Sequence, residues 1–514
     1  MGLLKKEISP KIVLSITLFA LIVLSVIFQY ISPTLYGIDG YYHIKLSSLI
    51  RTNGFFRNFW WARFSVLAKY FGDKDLTLHI IAIPFTYLGN LKVAAKATIV
   101  FLNILLLLSL AFVIRKYLSY SLTAIFIFLP FLIPYFLLYY VKLRPTNVVT
   151  IINILAITFL MEKKWKMVFL LSLIYPLSHI SFPLIIFFAI LCEVVRYLYC
   201  KDFFLRNIYA AVLGVSIGCV FHPYFPNNLL VFYLNAVLVP FYMFLDKKIP
   251  FGGELLPVST KIVLSFNFFA IALLIIAVWH KMINKLRLSF STIFLFAVTN
   301  FYILMGCVSV RFWYPADIFI VIFTASYLKD FLEQHKVTIT PRKQRILITL
   351  FICSVIVLWG LAASRLLHYF IADASRNTHY ELVGKWMKKN IPPKETVYHA
   401  YFSDSPYFFY MNPKNRYILM LDPIFMIYYN KRLYNIYRDI ADGQYKNPQL
   451  MIKEYFSASY GYTRKNANFY SMNIKSNPHF KILYEDKRGV VFKIVDEHGT
   501  QKKKQKKDNE QSSK

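Results

Sequence analysis

"KIVLSITLFALIVLSVIFQYISPTLYGIDGYYH", residues 11–43, runs from a long apolar stretch straight into a polar loop. Ile12–Ile31 contains no charged residue and is long enough to cross a bilayer as a helix, which takes about 20 residues. No small-residue cleavage site follows, so the run is expected to stay as an uncleaved signal anchor. The loop then sets Asp39 four residues before His43, just past the end of a membrane helix. Interface anchoring accounts for the tyrosines and leucines around them, but not for a carboxylate and an imidazole one helical turn apart.

The rest of the chain repeats the first theme. Of 514 residues, 57% are hydrophobic and 18% aromatic. Soluble domains average about 45–50% apolar, and here the excess lies in long runs, so a polytopic α-helical membrane protein is expected. The formal net charge of +33 does not signal nucleic acid, because the cations sit in short clusters between apolar runs. That distribution fits membrane orientation, anionic headgroups or an anionic lipid-linked substrate. The five cysteines lie in or beside apolar segments without metal-ligand spacing and read as packing residues.

About eleven spans are expected, at 12–31, 93–114, 120–140, 147–161, 167–179, 182–199, 207–222, 260–279, 290–308, 313–328 and 345–367. Clusters such as "EKKWK" (162–166) and "KMINKLR" (281–287) mark the cytoplasmic side by the positive-inside rule. Alternation then places the first loop, 32–92, and everything after about 368 outside. Residues 40–70 read as an amphipathic stretch, with "FFRNFWWARF" (55–64) forming helix in the headgroup region, and 227–244 as a second such stretch.

Three regions follow: a transmembrane domain over 1–371, an exocytoplasmic α/β domain over 372–497, and a disordered basic tail over 498–514. In the second, "TVYHAYF" and "RYILMLD" read as strands and 479–496 as a hairpin turning at Asp486–Gly489. Helices are expected over 376–390 and 447–457.

Polar residues on the outer side carry the functional signal. Alternation gathers Asp39, His43, Asp73, Asp75, His79, Lys142, Arg144, His179, His222, Arg311 and Asp317 at one membrane face. Ionisable groups at that depth are costly and face a cavity or each other. Each also has a plainer reading: Asp39 as a helix cap, Asp73 and Asp75 as a solvated turn, Arg144 and Arg311 as snorkelling anchors, His179 and His222 as satisfied donors beside prolines. No Walker loop, G-x-S-x-G or HExxH is present.

"IDGYYH", with "KLRPTNVVT", "SHISFPL", "HPYFPNNL", "RFWYPADIF" and "YILMLDPIFMIYYNKRLYNIY", resembles the GT-C superfamily of polytopic glycosyltransferases, in particular bacterial and archaeal relatives of the oligosaccharyltransferase catalytic subunit. The resemblance implies an inverting transfer of sugar from a polyprenyl-phosphate donor to a glycan, lipid or protein acceptor outside the cytoplasmic membrane. It implies that Asp39 is central to catalysis and that Arg144 and Arg311 bind the lipid phosphate. The W-W-D acceptor motif of oligosaccharyltransferases is missing from the C-terminal region, where Trp386 is the single tryptophan.

An acceptor hydroxyl is a weak nucleophile and needs a base. Asp39 is the candidate, with His43 orienting it or donating to substrate, and with His179 and His222 as further substrate contacts. Asp39 with Asp73 or Asp75 could hold a divalent metal, Mg or Mn. Alternatives are oligosaccharyltransferase-type protein glycosylation and a transporter or flippase of lipid-linked sugars.

Overall fold

The computed structural model describes residues 9–257, 259–335 and 367–495. The expected span at 345–367 and the basic tail lie outside this set, apart from Leu367. In chain order the helices are α1 (Pro10–Ile31), α2 (Asp39–Asn53), α3 (Leu76–Ala82), α4 (Leu91–Ile114), α5 (Tyr120–Phe128), α6 (Pro134–Tyr140), α7 (Pro145–Met161) and α8 (Trp165–Ser178). They continue with α9 (Pro183–Cys200), α10 (Arg206–Val220), α11 (Asn227–Phe232), α12 (Val239–Leu245), α13 (Thr260–Asn284), α14 (Phe290–Val308) and α15 (Trp313–Gln334). A helix over 367–390 (α16) and helices α17 (Ser405–Met411), α18 (Ile424–Tyr429), α19 (Lys431–Ala441) and α20 (Pro448–Phe456) follow.

The chain divides into two compact units. The first takes Met1–Arg51, Asp73–Pro226 and Gly252–Ala374, and the second Thr52–Gly72, Asn227–Phe251 and Ser375–Lys514. The second unit therefore draws in two segments from within the helical half of the chain, besides the C-terminal region.

In the first unit, α1, α4, α9, α13 and α14 are each long and apolar enough to cross a membrane. The expected span at 120–140 is instead bent by 86° between Tyr120–Leu132 and Pro134–Tyr140. Pro130 and Pro134 supply no N–H at that break, so the helical ladder cannot run through it. The helices α7, α8 and α10 are shorter and apolar. Helix α10 carries Gly214 and Gly218 on one face, four residues apart. A Cβ on Gly218 would stand 2.3 Å from the Leu173 carbonyl oxygen of α8, so only glycine permits this approach. Of the cysteines among the described residues, Cys192 and Cys219 are buried as expected, whereas Cys200 and Cys307 are exposed.

The second unit holds strands β1 (Thr396–His399), β2 (Arg416–Tyr417), β3 (Tyr460–Arg464), β4 (Phe480–Glu485) and β5 (Gly489–Ile494) in the order β2-β1-β3-β5-β4. Strand β1 runs parallel to β2 and β3, and β5 runs antiparallel to β3 and β4. The hairpin turns where expected, with the Asp486 carboxylate accepting from the Arg488 and Gly489 N–H groups at 2.8 and 3.0 Å.

The stretch 55–64 is not the expected interfacial helix. Ala62 bridges Tyr417 at the sheet edge, and Trp61 donates from Nε1 to the Pro413 carbonyl at 2.6 Å. Phe59 and Trp61 are buried against Phe409, so these aromatics serve the core of the α/β unit. The stretch 227–244 is helical, with a π-turn at Tyr233–Leu238 between α11 and α12. Asn227–Leu245 as a whole is long and apolar enough to cross a membrane, more than an interfacial stretch needs.

Candidate active site

The site begins where α1 hands over to α2. Gly37 has φ +74°, a left-handed conformation open to glycine, and its N–H donates to the Asp373 carboxylate at 2.8 Å. The turn sets Asp39 as the first residue of α2. Its carboxylate takes a hydrogen bond from Arg144. Arg144 precedes Pro145, which forces the extended backbone seen there (φ −144°, ψ 153°) and starts α7 in a proline-compatible first turn. The Arg144 guanidinium lies over the Tyr139 ring, 5.6 Å from its centroid.

Arg144 has a second arm, which donates to Glu254. Glu254 in turn accepts from Arg311 at 3.0 Å. The result is a chain of alternating charge: Asp39, Arg144, Glu254, Arg311. Ser309 Oγ donates to the Glu254 carbonyl at 3.0 Å and the Val310 N–H to that of Leu256 at 3.1 Å, which fixes this loop against the turn bearing Arg311. Burial alone would raise the Glu254 carboxyl, but the guanidinium groups of Arg144 and Arg311 outweigh it and hold the group well below the usual carboxylate range. The Arg311 Nε is buried without a hydrogen-bond partner among the described residues. An anionic oxygen is the kind of group that donor lacks.

A second line of polar groups starts at His43, one turn along α2 from Asp39. His43 Nδ1 lies 2.8 Å from His79 Nε2, and His79 Nδ1 lies 2.6 Å from Asp73 Oδ2. All three residues are buried. Tyr42 meets both imidazoles edge-on, with centroids 5.4 and 6.1 Å away. Burial lowers the His43 pKa well below its ordinary value, and His79, Lys74 and Arg144 add to the effect. Asp75 pairs with Lys74 at 2.7 Å; burial raises its carboxyl against that pull.

His179 caps α8 and accepts at Nδ1 from the Ser181 N–H at 3.1 Å, which leaves its proton on Nε2. Burial lowers its pKa, as do Lys74 and Arg311. His222 accepts at Nδ1 from the Tyr224 N–H at 3.2 Å; burial lowers its pKa while nearby Asp73 opposes the shift.

The structure thus joins Asp39, Arg144 and Arg311 through Glu254, and His43 to Asp73 through His79. His222 belongs to the Asp73 side. Asp317 stands apart, buried in α15 with neither carboxylate oxygen bonded among the described residues. Among the described residues no three His, Cys, Asp or Glu side chains form a group that could hold a metal ion. Glu254 was missed by sequence reasoning; its one signal is a lone acid in the glycine-rich stretch "FGGELL" between two apolar helices.

No protein-family model matches the chain, and no curated protein does. The fold, with several helices long and apolar enough to cross a membrane and a separate α/β unit, has counterparts among solved structures. It is similar to the oligosaccharyltransferase of Archaeoglobus fulgidus in its apo form, with TM-score 0.61 and 13% identity over 89% of this chain and 70% of that one. It is also similar to ArnT from Cupriavidus metallidurans bound to undecaprenyl phosphate, with TM-score 0.59 and 14% identity over 94% of this chain and 98% of that one. The archaeal oligosaccharyltransferase AglB in complex with an inhibitory peptide and a dolichol-phosphate gives TM-score 0.57 at 11% identity, over 87% of this chain and 69% of that one.

Proposed function

We propose that the protein is a glycosyltransferase that moves a sugar from a polyprenyl-phosphate donor to an acceptor outside the cytoplasmic membrane. The observation that carries this reading is the Asp39–Arg144–Glu254–Arg311 chain, with its unpartnered Arg311 Nε. Two guanidinium groups beside a glycine-hinged loop suit a phosphate that gains charge as the sugar leaves. The solved structures of like fold that hold dolichol-phosphate or undecaprenyl phosphate support the same class of donor.

In this reading Arg144 and Arg311 hold the leaving phosphate. Asp39 keeps Arg144 in place with Oδ2. His43 stands one turn away on the same helix, and His179 offers its Nε2 proton to substrate. The C-terminal unit lies outside with the acceptor.

The test is incubation of the purified full chain with a panel of radiolabelled undecaprenyl-phosphate sugars and membrane extract, with wild type beside Asp39→Asn. Label should move to an extract component with wild type and not with the variant. Equal transfer by both would remove Asp39 from the reaction. Transfer to an Asn-X-Ser/Thr peptide would identify the protein-glycosylation branch.

A further inference from the structure

The transferase reading leaves one question open, namely where the acceptor's proton goes. Asp39 is the obvious carboxylate, but its Oδ2 is committed to Arg144, and protonation there would break a charge-assisted bond. The other polar line ends in a better receiver.

For an ionised Asp73 and a neutral His79, the geometry assigns the protons one by one. Asp73 Oδ2 can only accept, so at 2.6 Å it takes the Nδ1–H of His79. Asp73 is itself held, because its Oδ1 accepts the Asp75 N–H at 3.1 Å. With its proton on Nδ1, a neutral His79 presents a lone pair at Nε2. That lone pair takes the Nδ1–H of His43 at 2.8 Å. His43 is then left with a lone pair at Nε2, for which the described residues provide no hydrogen-bond partner. Helix α2 carries this atom one turn from Asp39, on the element that also positions the arginine chain.

Resting on the proposed transfer, we infer that His43 is the general base and that Asp73 and His79 form a relay that draws the proton away from it. The acceptor oxygen forms its bond to the anomeric carbon as the bond from that carbon to the phosphate oxygen breaks. The electron pair of the broken bond stays on the phosphate, beside Arg144 and Arg311. The acceptor's proton goes to His43 Nε2, and the proton already on His43 Nδ1 passes to His79 Nε2. His43 ends neutral, and the new imidazolium is His79, next to the Asp73 carboxylate. His43 is the catalytic residue, while His79 and Asp73 are positioning residues.

The surroundings favour this state over a charged His43. Lys74 and Arg144 face it as cations, each also paired with a carboxylate, and the Tyr42 ring meets it edge-on. Charge placed on His43 would be buried beside two cations, whereas charge placed on His79 is paired.

The experiment uses the full chain in nanodiscs with a radiolabelled undecaprenyl-phosphate sugar panel, and reads release of undecaprenyl phosphate. His43→Gln should lower kcat by about 10²–10⁴-fold, with donor KM within about threefold. Asp73→Asn should do nearly the same, because an amide facing His79 Nδ1 reverses both tautomers and puts a proton on His43 Nε2. The acid limb of the pH–kcat profile should vanish in both. If wild type releases undecaprenyl phosphate and both variants keep near-normal kcat, the relay is overturned and the transferase reading stands. If wild type releases none from any donor, the transferase reading falls and the relay's role falls with it. A second measurement needs no turnover: ¹⁵N spectra of histidine-labelled protein, assigned with the His43→Gln variant. A neutral His43 carrying its proton on Nδ1, switching to Nε2 in Asp73→Asn, is the expected result. An Nε2-protonated His43 in wild type overturns the inference.

Discussion

Replacing Arg144 with alanine removes the link between the two carboxylates of the site. Arg144 donates one bond to Asp39 and one to Glu254, from a side chain only 14% exposed. A hydrogen bond to a charged group contributes about 1.5–3 kcal/mol, so the pair could amount to roughly 3–6. Asp39 and Glu254 are 35% and 30% exposed, and water takes over part of what they lose. Halving the figure for that screening leaves about 2 kcal/mol of stability. In a chain of this size that is a shift of a few degrees in Tm. The effect on turnover should be larger, because the same guanidinium faces the leaving phosphate: about 10²–10³ in kcat for one lost donor to a developing oxyanion. Arg144→Lys keeps the charge but not the two-armed geometry, and should fall between. The assay is release of undecaprenyl phosphate at varied donor concentration, beside thermal unfolding of the same preparations. If Arg144→Ala keeps kcat within about threefold and its Tm within a degree, Arg144 is an interfacial anchor and the reasoning fails.

Other outcomes follow from the same structure. Glu254→Gln presents an amide N–H₂ to a guanidinium and loses one bond outright, so Tm should fall by a few degrees at pH 7. Because the two arginines hold the native Glu254 carboxyl low, its contribution is full above the usual carboxylate range, about 4.3, and is lost as pH falls through the native value; acid melts of Glu254→Gln should show less of that loss. His43 has a lowered native pKa, so below about pH 6.5 the unfolded chain binds a proton that the native protein does not. Its stability contribution is complete above that pH and declines on acidification, by up to about 1.4 kcal/mol per pH unit; His43→Gln should flatten melts between pH 6.5 and 5 by up to that slope. Gly218→Val forces a side chain into the Leu173 carbonyl of α8, an overpacking of about 1–3 kcal/mol or more. Gly253→Ala, which meets nothing within 4 Å, is the control in the same melts.

Much of this architecture is legible in residue order. Charge-free runs such as Ile12–Ile31 can only be helices in lipid, and the pairing of positive clusters with alternating spans leads to the expectation that Asp39, Arg144 and Arg311 lie together, which their link through Glu254 matches. Pro145 announces the start of α7, and with it the place of Arg144 just ahead of the helix. What composition hides is contact. Glu254 is one acid in a glycine-rich loop, and its bridging role depends on two arginines 110 and 57 residues away. The relay needs α3 to return against α2, a tertiary event that no local pattern encodes. Strand β3 is the central strand of its sheet, yet "YGYTR" is not among the strands expected from the sequence. Its Gly461 lies against the Phe492 ring, where a Cβ would come within 2.2 Å, so packing rather than strand propensity fixes it. "FFRNFWWARF" misleads for the opposite reason: aromatic–arginine interleaving suits a headgroup layer and a sheet edge equally well.

The central claim is that two arginines hold the phosphate of a lipid-linked sugar during transfer. Single-turnover release of undecaprenyl phosphate from a labelled undecaprenyl-phosphate sugar, by wild type and by the Arg144→Ala, Arg311→Ala double variant, tests it most directly. The account predicts release by wild type and at least a thousandfold slower release by the folded double variant, about two donors at roughly 10²–10³ each with overlap between them. Equal rates from the two proteins, or no release by wild type from any sugar in the panel, would contradict it.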